Sequence, residues 1–183
     1  MTRTQLEHIL RAAGSITGCA EFVVIGSQAV LGSVSNPPDA LLVSIEADLF
    51  TLRDPADADA IDGAIGELSN FHQTFGYYAH GVGRDTATLP IDWESRLVPL
   101  RSTAMPGVTG FCLELHDLAV AKLVAGRAKD IDYVVTLAIH RLIDLTTVAA
   151  RLSNTPLEPA VSESCVARLT RVKAAVAPTE PRS

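Results

Sequence analysis

Two acidic residues, Glu46 and Asp48, stand two apart in a run closed by Leu49-Phe50. On a strand, side chains alternate with a period of two, so both carboxylates would leave the same face. Paired carboxylates are a natural seat for Mg²⁺, which takes oxygen ligands and leaves room for substrate phosphates. Further upstream, the apolar run Phe22-Val23-Val24-Ile25 stops at Gly26-Ser27, and a short apolar stretch, Gln28 to Leu31, follows. Gly26 would let the backbone approach a ligand closely, and Ser27 offers an N–H and a hydroxyl. Such a turn, opening a helix, can hold phosphate oxygens. A phosphate cradle beside a metal seat points to phosphoryl or nucleotidyl transfer.

The elements that must position these groups read as strand, tight turn, short helix, a loop with Pro37-Pro38, and a second strand. A second block lies downstream. Leu115, Leu118, Ala119 and Leu123 belong to a strongly apolar helix opened by His116-Asp117, and Lys122 sits within it. Two accounts of Lys122 stand side by side: a snorkelling side chain whose amine reaches solvent, or an amine aimed at a triphosphate. Gly126 ends this helix, and Arg127-Ala128-Lys129-Asp130 leads into another. Lys129 and Asp130 read either as polar residues of a first turn or, for Asp130, as a group that caps or orients Lys122 or Arg127. Asp132 and Asp144 are alternatives for the later functional acid.

Gly26-Ser27, a short helix, then acidic-x-Asp before apolar residues resembles the core motif of the nucleotidyltransferase superfamily of the DNA polymerase β type. The Leu115–Leu123 block and Gly126–Asp130 resemble the later Lys and Lys-Asp motifs of AbiEii-like (MenT-type) nucleotidyltransferase toxins. The two blocks cover about a third of the chain, in the family's order. Many members carry Asp where this chain has Glu46. The resemblance implies an Mg²⁺-dependent nucleotidyltransferase of the EC 2.7.7 type, with NTP as substrate and a two-metal site possible. It implies Glu46, Asp48, Lys122 and Asp130 as catalytic residues. Glu46 and Asp48 would hold the metal, and Gly26, Ser27, Lys122, Arg127 and Lys129 would bind the nucleotide. In those toxins NMP is added to the tRNA 3′ end and blocks aminoacylation, so tRNA and a cognate antitoxin are the implied partners. Two alternatives remain. One is a protein-nucleotidylating (AMPylating) module of the antitoxin type, and the other is a catalytically inactive nucleotidyltransferase fold that only binds.

The implied fold class is α+β: a nucleotidyltransferase-like mixed sheet flanked by helices, with a helical C-terminal bundle. The expected domains are an α/β core over 1–112, a helical part over 113–176 forming the other wall of a cleft, and a flexible tail over 177–183. With 183 residues, 48% of them hydrophobic, the chain can bury a sizeable core. No apolar stretch is long enough to span a bilayer, and the Glu7 and His8 of the N-terminal pattern do not suit a signal peptide. Three widely spaced cysteines argue against a disulfide framework and a zinc site, which fits a cytoplasmic protein. A formal net charge of −6 counts against non-specific duplex binding but leaves room for a local basic patch.

Elsewhere the pattern predicts a helix over Thr4 to Ala13 with Thr4 as its cap, and a helix over Ala56 to Leu68 whose Asp57, Asp59 and Asp62 face solvent. Ser69 to Gly83 holds His72, His80 and several aromatics. Tyr77 to His80 is expected as a strand, the aromatics as core or cleft lining, and His80 more as a packing residue than a functional one. Asp92 is weighed as a third metal carboxylate and set behind a turn role; Arg96 is a candidate phosphate or RNA contact. Arg168, Arg171 and Lys173 are expected to give the last helix a basic face.

Overall fold

The structure, a computed structural model, describes residues 1–177, so the tail expected over 177–183 lies, from residue 178 on, outside them. The chain divides into two compact units. One comprises residues 1–87 and 92–114, the other residues 88–91 and the described residues from 115 on.

The first unit is built on a five-stranded mixed sheet. Helix α1 (Arg3–Thr17) precedes strand β1 (Glu21–Ile25). A one-turn 3₁₀ segment, Ser27–Ala29, and the short helix α2 (Val30–Ser33) follow. Then come β2 (Glu46–Phe50), α3 (Asp57–Ile65), α4 (Asn70–Phe75), β3 (Tyr78–Gly81), β4 (Val98–Leu100) and β5 (Thr109–Cys112). The strand order is β3-β2-β1-β5-β4. β1 pairs antiparallel with β2 and parallel with β5; β2 and β3 are parallel, and β4 and β5 antiparallel. β1 occupies the centre, and its Phe22, Val23, Val24 and Ile25 are all buried, as an apolar run in a sheet covered on both faces must be. Leu6, Ile9, Leu10 and Ala13 of α1 are buried at helical spacing.

Two local expectations are corrected. α1 starts earlier than predicted, because Thr2 rather than Thr4 caps it. Its hydroxyl accepts from the Gln5 N–H at 3.3 Å, and the Gln5 side chain accepts from the Thr2 N–H at 2.7 Å, a reciprocal capping box. Asp57 is not on a solvated face. It is buried, accepting from the Thr51 hydroxyl at 2.6 Å and the Arg53 guanidinium at 2.9 Å. The Thr51 hydrogen bond, and Arg53 after it, hold the Asp57 carboxyl below the usual range despite burial. Within the aromatic-rich stretch from Ser69 to Gly83, Phe71 and Phe75 belong to a helix, α4, which Ser69 caps through its side chain. Their rings gather with Tyr77 around His8, at centroid distances of 4.7–6.0 Å, and His8 Nδ1 lies 2.8 Å from the Tyr77 hydroxyl.

The second unit is helical: α5 (Leu115–Ala125), α6 (Ala128–Ile139), α7 (Leu145–Ser153) and α8 (Pro159–Val176). α5 stops where Gly126 adopts a left-handed φ of 67°. Arg168 does not simply extend a basic face on α8. Its guanidinium donates to the Leu123 and Val124 carbonyls at 2.8 and 3.2 Å and so caps the end of α5. Asp117, fully buried, pairs with Arg151 at 3.0 Å, and the Asp144 N–H donates to His116 Nε2 at 3.0 Å. Among the described residues no helix is long and apolar enough to cross a membrane.

Candidate active site

The acidic pair and the Gly-Ser turn meet because β1 and β2 are antiparallel neighbours. Ile25 is in register with Asp48, so Gly26 follows directly beside the Asp48 side chain. Along β2, Glu46 and Asp48 are half-buried while Ala47 and Leu49 are fully buried. That alternation puts both carboxylates on the one face, as the period of two requires. Gly26 has φ 70° and ψ −166°, and a Cβ there would overlap the Asp48 carboxylate. Glycine is needed twice over: for the backbone conformation and for the space Asp48 fills. Gly26→Ala is therefore expected to cost about 1–3 kcal/mol of stability through strain and to push Asp48 off its position; urea unfolding and divalent-ion binding measured together would register both effects.

The turn itself differs from the expected helix opening in one respect. One 3₁₀ turn and four helical residues make too short a run for a strong macrodipole. Anion affinity there would rest on local backbone N–H groups and on Ser27. The turn is held by Gln28, a buried side chain whose Nε2 donates to the Ser44 carbonyl at 3.0 Å. Ser44 in turn exchanges two bonds with Glu46, both at 3.2 Å, between its hydroxyl and the Glu46 N–H and carbonyl. The Gly-Ser turn and the start of β2 are thereby tied to each other.

The next strand adds two contacts that sequence reasoning missed. β3 runs parallel to β2, with Tyr78 opposite Glu46 and His80 opposite Asp48. The Tyr78 hydroxyl donates to Glu46 Oε2 at 2.9 Å. His80 Nδ1 lies 3.2 Å from Asp48 Oδ1; a carboxylate only accepts, so Nδ1 carries the proton. Burial first, and then the bond to Glu46, push the Tyr78 phenol up to about 12, which keeps it a donor at any working pH. The sequence holds no signal for this pairing, since strand order and register in a parallel pair follow from the crossover and not from local pattern.

Asp92 is a turn residue. It opens the 3₁₀ segment Trp93–Arg96 with a left-handed φ of 61°, and its carbonyl accepts from the Ser95 hydroxyl at 2.7 Å. Trp93 packs on the apolar cluster of Val23, Ile25, Phe50 and Val82. Among the described residues, no three His, Cys, Asp or Glu side chains form a ready-made metal cluster. Glu46 and Asp48 alone are a donor set of the kind a hard divalent cation takes when substrate oxygens complete its shell.

In the helical unit, Lys122, Arg127 and Asp130 come together while Lys129 is exposed. Lys122 does not snorkel. Its amine lies 3.0 Å from Asp130 Oδ1 and 4.9 Å from the centre of the Tyr133 ring, and its side chain is 10% exposed. Arg127 reaches the other oxygen, Asp130 Oδ2, at 2.6 Å through Nε. Burial alone would raise the fully buried Asp130 carboxyl. The hydrogen bonds and charges of Arg127 and Lys122 outweigh it and hold the group below the usual range.

No curated protein and no solved structure matches the chain. A family model described as "Nucleotidyltransferase of unknown function (DUF6036)" matches residues 4–172. Nearly the whole chain is covered, including the Gly-Ser turn, the acidic pair and the Lys122–Asp130 block; the protein belongs to this nucleotidyltransferase family.

Proposed function

We propose that the protein transfers a nucleoside monophosphate from an NTP to an acceptor hydroxyl, and that the acceptor is the 3′ end of tRNA, as in the AbiEii-like (MenT-type) toxins its two motif blocks resemble. The observation that carries the transfer chemistry is the shared face of Glu46 and Asp48 directly beside Gly26-Ser27. In the reaction, the acceptor oxygen bonds to the α-phosphorus and the bond from that phosphorus to the β-phosphate bridge breaks. Pyrophosphate leaves, and the hydroxyl proton passes to solvent. Glu46 and Asp48 would hold Mg²⁺, which when bound lowers the pKa of the attacking hydroxyl and neutralises charge on the leaving group. Ser27 and the adjoining backbone bind the triphosphate, with Gly26 leaving space for both.

Lys122, Arg127, Lys129 and Asp130 enter this reading through the resemblance of their block to the toxins' Lys and Lys-Asp motifs. In that role Lys122, with Arg127 or Lys129, supplies positive charge to the triphosphate, and Asp130 orients Lys122 and Arg127. The tRNA acceptor and a cognate antitoxin rest on the same resemblance.

Incubation of the purified protein with each α-labelled NTP, Mg²⁺ and either total tRNA or a protein lysate tests the reading. Label on tRNA that is lost in Asp48→Asn supports it. Label on a protein instead selects the AMPylating module. No label anywhere, with no divalent-ion binding, selects an inactive binding fold.

A further inference from the structure

A site of two half-buried carboxylates depends on where those carboxylates point. Glu46 and Asp48 carry flexible side chains of like charge on one strand face, and repulsion between them would splay them apart. On the same sheet, β3 presents a donor to each. Tyr78 donates to Glu46 Oε2 at 2.9 Å and His80 approaches Asp48 Oδ1 at 3.2 Å. The donors arise from one register, in which each acid faces its partner directly across the β2–β3 ladder. One oxygen of each carboxylate accepts the β3 donor, which fixes how the other is presented. Tyr78 is itself braced, its ring 4.6 Å from that of His72 on α4. His80 has a side chain about half exposed, and nothing in the core requires an imidazole there.

We propose that Tyr78 and His80 are positioning residues that hold Glu46 and Asp48 in the arrangement a divalent cation needs. The inference rests on the metal role of Glu46 and Asp48 given under the proposed function. Groups that orient metal-ligating side chains from behind typically matter about 10–100-fold in metal affinity, and the partly exposed His80 bond belongs at the lower end. Tyr78→Phe removes the hydroxyl and keeps the ring on His72. His80→Ala removes the imidazole, and His80→Asn restores a donor, because the Asn amide nitrogen occupies nearly the place of Nδ1.

The experiment is Mn²⁺ binding to the whole purified protein, read by electron paramagnetic resonance of the free ion, with thermal unfolding alongside. Tyr78→Phe and His80→Ala should each weaken Mn²⁺ binding about tenfold or more with the melting temperature unchanged, and His80→Asn should recover most of the loss. In the transfer assay the same variants should lower kcat more than they raise KM for NTP. Parent-like Mn²⁺ binding in both Tyr78→Phe and His80→Ala overturns the inference and leaves the metal reading of Glu46 and Asp48 intact. An equal loss in His80→Asn and His80→Ala overturns the hydrogen-bond role of His80. A parent protein that binds no Mn²⁺ overturns the metal reading and this inference with it.

Discussion

Asp48→Asn is expected to abolish transfer, lowering the rate on the order of a thousandfold, while the protein melts within a degree or two of the parent. Asn keeps the shape of the side chain and an oxygen that can accept from His80 Nδ1. The residue is partly exposed rather than part of the core, its side chain 25% accessible, so packing is undisturbed. On the proposed reading, what disappears is one negative ligand of two. Mg²⁺ holds its protein ligands through charge and surrenders its waters reluctantly, so one remaining carboxylate binds it poorly. The removal of like-charge repulsion from Glu46 also favours the variant's fold slightly. A transfer assay and a thermal melt on the same preparation check both halves. Full activity in Asp48→Asn would remove the central claim about this face of the sheet.

The parts of this site that were legible in the sequence are those encoded locally. The period-two placement of Glu46 and Asp48, the break at Gly26-Ser27 and the stop at Gly126 each follow from residue type within a few positions, and the structure has them all. What was not legible is what arrives from elsewhere in the chain. Tyr78 and His80 sit 32 residues beyond their partners, and only the crossover through α3 and α4 fixes their register. Local pattern alone therefore favours a packing role for His80, although its ring rests on an acid and not in a core. The same limit explains Asp57: an acidic residue at the start of a helix suits solvent by default, and its ligation by Thr51 depends on how β2 ends. It explains Arg168 too, whose role is set by the end of a different helix, 45 residues away from the Leu123 carbonyl it caps.

Lys122 shows where the structure changes an expectation about stability. From the sequence, an amine in an apolar helix would be neutral or better as Met, because a buried ammonium is costly. The structure shows an ammonium bonded to a fully buried carboxylate and set against the Tyr133 ring. Lys122→Met therefore removes one partner of Asp130 and leaves Arg127 in place, an expected cost of about 1.5 kcal/mol. Asp130→Ala should cost more, on the order of 3 kcal/mol, since it removes the buried carboxylate that Lys122 and Arg127 both bond. The two variants also separate by pH. The Asp130 pKa is depressed in the fold, so its contribution to stability is full above the unfolded value of about 3.9 and is lost as pH falls through the folded value. Urea unfolding of the parent should show that acid loss, and Asp130→Ala should lack its share of it. Activity then decides what the amine is for. If Lys122 neutralises charge on a triphosphate, Lys122→Met loses at least about a hundredfold in transfer, at a temperature where it remains fully folded. A folded Lys122→Met with parent-like transfer would make the Lys122–Asp130 pair a structural device of the helical unit and nothing more.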